Sequence, residues 1–256
     1  VFEFGTPEQQ AHILPRMASA EDLWCQGWSE PNAGSDLASL TCKATRDDER
    51  GGWVLDGQKT WTTRGAFCSH LFGLFRTEPD APKHAGISYL LVDMRSKGIE
   101  VRPLRQMTGG ADFNEVFFSD VRIPADSIVG RRGEGWKVSR STLKHERNLI
   151  GDPRYLRNSF DSLVELARRS QRNGRPALED SNVRQRLAEI EGYVCSQEYS
   201  GQRQFSAALR GQELATLLPI LMNKLYSTDA MQRITRLAFD LLGGDGLVAP
   251  VAEEYG

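Results

Sequence analysis

Apolar positions change period twice along the chain. Near the start they recur at helical spacing. Thr6-Pro7-Glu8-Gln9 reads as a helix start, with Thr6 as N-cap, Pro7 at the first helical position and Gln9 completing a capping box. Ile13, Leu14 and Met17 continue an apolar stripe, and Pro15 is expected to kink or end the helix. From about Trp24 to Pro124 the pattern becomes strand-like. Short β-rich runs recur at Cys25–Ser29, Leu40–Ala44, Trp53–Leu55, Lys59–Thr63, His70–Arg76, Ile87–Val92, Ile99–Pro103 and Glu115–Val121, separated by Gly, Pro and Asp clusters. Short strands at this spacing predict a small barrel or sandwich. Asp56-Gly57, set between Trp53-Val54-Leu55 and Gln58 to Thr63, reads as the turn of a hairpin.

After Gly133 the helical period returns. Helices are expected near Trp136–Ile150, Arg154–Asn173, Ser181–Leu209 and Gln212–Leu242. In the third, Val183, Leu187, Ile190 and Val194 follow at spacings of four, three and four and line one face, with Asp180 or Ser181 as cap. Pro219 should kink the fourth helix, and Gly243-Gly244-Asp245-Gly246 should end it. Long helices of this kind pack as a bundle. The expected fold class is therefore α+β, a small β-barrel or sandwich followed by an antiparallel helix bundle.

Composition narrows the function classes. The net charge of −2 over 256 residues provides no basic field for nucleic acid. No apolar run approaches the ~20 residues that span a bilayer, and no signal peptide is visible. Cys25, Cys42, Cys68 and Cys195 form no CxxC, and His12, His70, His84 and His145 form no HxxxH pair. Reduced, mostly structural thiols and no metal site are expected, which fits a reducing compartment.

Two stretches hold the candidate chemistry. Gln26-Gly27-Trp28-Ser29-Glu30-Pro31-Asn32-Ala33-Gly34-Ser35-Asp36 reads as a short strand running into a tight turn. Pro31 presets φ, Gly34 lets the backbone approach something closely, and Ser35 and Asp36 can bond free backbone groups. Taken alone, it also fits an ordinary surface turn. The second stretch runs from Trp53 to Gly65.

Together they resemble the acyl-CoA dehydrogenase family. Family members carry (Thr/Ser)-Glu-Pro-x-Ala-Gly-Ser-Asp, followed some twenty-odd residues on by Gly-x-Lys-x-Trp-Ile-Thr-Asn-Gly; Ser29 to Asp36 and Gly57 to Gly65 are similar. A third match is Asn114-Glu115-Val116-Phe117-Phe118-Ser119-Asp120-Val121-Arg122-Ile123-Pro124, with Gly130 after it. The resemblance implies three parts: residues 1–20 as the remnant of an N-terminal helical domain, 21–132 as the β-barrel middle domain, and 133–256 as a truncated C-terminal helical bundle. With no initiator Met, the chain reads as an internal piece of a longer protein.

The resemblance implies a flavoenzyme that binds FAD and oxidises an acyl-CoA to the 2-enoyl-CoA, passing electrons to an electron-transfer flavoprotein or similar acceptor. Alternatives are an acyl-CoA oxidase using O2 and a non-catalytic FAD- or CoA-binding subunit of a heteromeric dehydrogenase. It further implies a homodimer or homotetramer, or a heteromer, in the cytoplasm, or in the mitochondrial matrix of a eukaryote.

The cofactor positions carried over are Gln26, Trp28, Ser29, Gly34, Ser35, Trp61, Thr63, Gly243 and Gly244, with Ser35 also near substrate. Read from its type alone, Trp61 fits a barrel core equally, and Gly243-Gly244 fits a helix cap. Lys144 and Arg147 match positions along the CoA, or else form a solvated helix face.

The implied catalytic base is Glu146, because Leu143-Lys144-His145-Glu146-Arg147 matches the Leu-x-x-Glu-Arg pattern of isovaleryl- and long-chain-type enzymes. Its helical neighbours Thr142, Leu143, Leu149 and Ile150 put it on a mostly apolar face, where a carboxylate's proton affinity rises. A carboxylate paired with Arg140, Lys144 or Arg147 fits the same spacing, and in other family members the base lies near the C-terminus. Departures are Arg64 for the usual Asn, Gln26 for a frequent aromatic, Ser170 and Asn173 within an Arg-x-x-Phe-Gly-x-Pro pattern, and Asp240 for a frequent Gln.

Overall fold

The computed structural model describes residues 1–150, 152–212 and 217–248, with the side chains of 147–150 and 217–221 outside the description. The chain divides into two compact units, Val1–Thr142 and Leu143–Gly256, and each is taken by itself.

The first unit opens with α1 (Pro7–Ala18), and its start is the expected capping box: Thr6 and Gln9 exchange side-chain and backbone hydrogen bonds. Pro15 does not end the helix, which continues to Ala18. The Gln9 amide also donates to the Asp126 and Ile128 carbonyls, tying α1 to the strands beyond it.

The strands are β1 (Trp24–Gly27), β2 (Lys43–Arg46), β3 (Trp53–Thr63), β4 (His70–Arg76), β5 (Ile87–Asp93), β6 (Ile99–Leu104), β7 (Phe113–Ile123) and β8 (Ile128–Val129). They form one mixed sheet in the order β6-β7-β3-β2-β4-β5-β8, with β1 parallel to β4. Alternate positions turn inward to a core of Cys25, Cys42, Trp53, Leu55, Leu71, Phe75, Leu90, Val116, Phe118 and Val121. Burial pushes the Cys25 thiol up and the Cys42 thiol up to about 12, so both remain neutral packing groups.

The expected hairpin at Asp56-Gly57 is absent; β3 runs unbroken through both residues. Gly57 has φ +135° beside a slip in the pairing with β7, where Ser119 and Asp120, the latter at φ +50°, together face Asp56; the extra residue of this bulge lies on β7, and Asp-Gly passes it without turning. The close approach of β2 requires the glycine: a Cβ would lie 2.9 Å from the Cys42 Cα. A second slip, between Lys59 and Thr62, coincides with φ +58° at Trp61.

One edge of β4 is divided. β1 pairs with it from His70 to Gly73, and β2 meets it only at Arg76. Arg76 N–H donates to Cys42 O, so by the two-residue period Leu74 presents its polar groups to the same edge. There β1 has ended and β2 has not begun.

The second unit holds the later part of α2 (Gly135–Ile150), then α3 (Pro153–Arg169), α4 (Ser181–Leu209) and α5 (Leu217–Leu242). Val183, Leu187, Ile190 and Val194 of α4 are all buried, against Leu156, Phe160 and Leu163 of α3 and Ala230, Ile234 and Leu237 of α5. Asp180 caps α4 through Asn182 N and Val183 N. The helix expected to reach Asn173 stops at Arg169, and Asn173-Gly174, both at positive φ, turn a small hairpin of β9 (Gln171–Arg172) and β10 (Arg175–Pro176). Pro219 is the third residue of α5 as described, and Gly243, φ +56°, follows its end. Among the described residues no helix is long and apolar enough to cross a membrane, and no cluster of metal-ligating side chains occurs.

Candidate functional site

β1 ends at Gly27, which lies close over Leu71; a Cβ there would be 2.7 Å from that side chain. Trp28 is then buried, 3% exposed, edge-on to Phe72 and Tyr89 at 6.4 Å from each. Its indole Nε1 has no hydrogen-bond partner among the described residues. Glu30 and Ala33 exchange backbone bonds of 3.0 and 3.1 Å, closing the tight turn over Pro31-Asn32. Ser35 is exposed, and a Cβ added to Gly34 would meet nothing within 4 Å. Asp36 accepts from Ser39 and from Lys83, which hold its carboxyl below the usual carboxylate range.

The second stretch lies directly against the first. Thr60 N–H donates to Ser29 O at 2.9 Å. Lys59, entirely buried, donates from Nζ to Leu74 O at 2.6 Å, Glu30 Oε1 at 2.8 Å and Trp28 O at 3.3 Å. The Leu74 carbonyl is the one left at the gap in the β4 edge, so the ammonium completes what neither strand supplies. Glu30 is equally committed: Oε1 also accepts from Cys42 N, and Oε2 accepts from Thr41 N and Oγ1. Burial alone would push its carboxyl up; the Lys59 charge and these hydrogen bonds outweigh that and hold it below the ordinary glutamate range.

Beyond Lys59 the bulge turns Trp61 outward, 61% exposed, against the edge of Phe113. Thr62 points inward, and its Oγ1 has no partner among the described residues. Asn114 of β7, also buried, donates to Thr62 O at 3.0 Å and pins the bulge, while Thr63 faces outward.

The structure thus brings Trp28 and Ser29 together with the segment that carries Trp61 and Thr63; Gln26, Gly34 and Ser35 flank Trp28 and Ser29 on the same strand and turn. Glu146, Lys144, Arg147, Gly243 and Gly244 belong to the other unit. Glu146 and Lys144 are exposed on α2, and Arg147's side chain lies outside the described residues. Gly243 and Gly244 open a 3-10 turn after α5. Asp240 pairs with Arg186, and Arg172 pairs with Asp180 at 3.3 Å. The motif reading passed over Lys59 and Asn114. The available signal for Lys59 was a lysine inside an otherwise β-rich run, within a motif whose partner motif carries a glutamate.

Two family descriptions match the chain: "Acyl-CoA dehydrogenase, middle domain" over residues 25–121 and "Acyl-CoA dehydrogenase, C-terminal domain" over residues 133–255. Acyl-CoA dehydrogenase IpdE1 of Mycobacterium tuberculosis (strain ATCC 25618 / H37Rv) is 40% identical over 260 residues, covering 98% of this chain and 63% of the relative. The solved "Tcur3481-Tcur3483 steroid ACAD" is similar at a TM-score of 0.85 and 30% identity, over 98% of this chain and 63% of that one. The ChsE4-ChsE5 complex from Mycobacterium tuberculosis follows at 0.82 and 28%, over 97% and 64%. The chain spans less than two thirds of the length of each.

Proposed function

The chain belongs to the acyl-CoA dehydrogenase family, and from that premise we propose that it forms part of an enzyme that removes two hydrogens from an acyl-CoA thioester to give the 2-enoyl-CoA. Members of the family are FAD-dependent flavoproteins. The observation that carries the reading is the direct junction of the two motif segments, through Thr60 N–Ser29 O and the buried Lys59–Glu30 pair.

The residues present fit FAD. Among the described residues, Trp28 Nε1 and Thr62 Oγ1 are buried without partners, and Ser29 N–H has no acceptor. An aromatic side chain held outward at positive φ stands beside them, and the turn at Gly34 faces open space. Strain and unpaired polar groups gathered at one place mark a ligand clamp. When bound, FAD accepts the hydride from the carbon β to the thioester carbonyl.

The chain's own groups do the rest. Gln26, Trp28 and Ser29 would hold the flavin through backbone and hydroxyl groups, and Trp61 and Thr63 would hold it from the second segment. Gly34 and Ser35 would hold the pyrophosphate, and Ser35 would also meet the substrate. Glu146 takes the proton from the carbon next to the carbonyl, and Lys144 and Arg147 hold the CoA. Gly243 and Gly244 meet the FAD of a neighbouring subunit. Electrons leave to a carrier flavoprotein; rapid oxygen consumption with substrate would instead mark an oxidase. The departures at Ser170 and Asn173, with the likeness to a two-protein complex, favour a second reading in which this chain pairs with an unlike subunit.

Anaerobic titration of the full-length protein with a panel of acyl-CoAs, a steroid-bearing one among them, tests the reading. Bleaching of the flavin absorption band is expected, and Glu146→Gln should retain FAD yet abolish bleaching. Bleaching at the original rate in that variant would place the base elsewhere.

A further inference from the structure

We propose that Lys59 is a positioning residue for the peptide that faces the flavin. Its buried ammonium, bonded to the Trp28 carbonyl, polarises the Trp28–Ser29 peptide and makes Ser29 N–H a stronger donor. The inference rests on the flavin reading above and goes beyond it, because Lys59 itself has no exposed surface with which to touch a ligand.

A fully buried ammonium is costly. An apolar side chain of similar length would fill the same space without the desolvation penalty. Lys59 is retained where all three of its donors have acceptors, and two of those acceptors are peptide carbonyls. The Leu74 carbonyl explains one bond, since it closes the gap in the β4 edge. The Trp28 carbonyl needs a different explanation. Its own peptide ends in the Ser29 N–H, which has no acceptor among the described residues.

A hydrogen bond accepted at a carbonyl draws electron density through the amide and strengthens the N–H at its other end, and more so where the dielectric is low. The surroundings keep it low. The Phe75 ring lies 5.1 Å from Nζ, and Trp28 and Phe75 are both essentially closed to water. The next peptide is held in the same way, since Thr60 N–H donates to Ser29 O. Two consecutive residues of β3 therefore grip two consecutive carbonyls of the first motif. Glu30, itself bonded to Thr41 and Cys42, balances the charge, so the effect passes through the bond and not through a net field.

The test is the double variant Glu30→Gln/Lys59→Met in the full-length protein, which removes both charges at nearly constant volume. A weaker Ser29 donor stabilises reduced flavin less, so the midpoint potential of bound FAD should move to more negative values, with a shift of its visible absorption band. A purely structural role would lower the melting temperature and FAD affinity and leave the potential of the FAD that remains bound unmoved. A potential that is unchanged or more positive overturns the proposal. If the wild-type protein takes up no FAD, the flavin reading itself fails and the proposal with it.

Should the double variant bind no FAD, the wild type still decides. Trp-Ser occurs once in these 256 residues, so carbonyl-13C tryptophan with 15N serine labels this peptide, and the pair whose signal Ser29→Ala removes identifies it. Its carbonyl resonance is expected at the low-field end of the peptide range. An ordinary extended-chain value overturns the proposal.

Discussion

At the scale of single residues, the Lys59–Glu30 pair organises the first unit. Neither side chain can be removed alone without leaving the other charge buried. Lys59→Met should therefore cost about 3–5 kcal/mol of unfolding free energy, and Glu30→Gln/Lys59→Met distinctly less, in denaturant melts. The pH dependence follows from the same geometry. Glu30's carboxyl lies below the ordinary glutamate range in the folded chain. Its contribution is complete above the unfolded glutamate value and is lost as pH falls through the lower folded value. Acid melts of the wild type should thus lose stability across that window more steeply than those of the double variant; equal slopes would show that the pair is not the titrating element. The pair was not legible in the sequence. Its partners stand 29 positions apart in two different motifs, and strand alternation says which way a lysine points but not which carboxylate waits there.

At the scale of elements, helices were read more faithfully than strands. The four-three-four spacing in α4 placed four side chains, and all four are buried on α3 and α5. Caps were equally plain: Thr6 and Asp180 each hold the backbone N–H groups that their types and positions imply. Asp180→Ala should accordingly cost about 1 kcal/mol, visible as a lower melting temperature. The hairpin at Asp56-Gly57 failed for a long-range reason. Local preference allows a turn at Asp-Gly, and it is pairing with β2 on one side and β7 on the other, with the extra residue taken up by β7, that keeps the strand running. Asn173-Gly174 shows the opposite case, a genuine turn hidden at the end of an apolar helical period. Gly57→Ala must place a Cβ against the Cys42 backbone at φ +135°, so a loss of about 1–3 kcal/mol is expected in denaturant melts; an unchanged midpoint would contradict this close approach.

At the scale of the whole molecule, the first unit carries the candidate cofactor segments. It brings the two motif segments together and, among the described residues, leaves Trp28 Nε1 and Thr62 Oγ1 unpaired within them and nothing within 4 Å of a Cβ at Gly34. The second unit carries Glu146, whose role as the base is a proposal that its own substitution tests. The account depends most on the claim that the first unit's turn lies against FAD. Gly34 allows a direct test, because a Cβ there meets nothing within 4 Å among the described residues and a side chain should leave the fold intact. FAD titration of the full-length apoprotein, wild type against Gly34→Leu, is the measurement. The account predicts an unchanged melting temperature for the unliganded variant and FAD affinity at least about tenfold weaker, since each 1.4 kcal/mol of lost contact is a factor of ten. Wild-type affinity in Gly34→Leu would place the cofactor away from this turn and contradict the account.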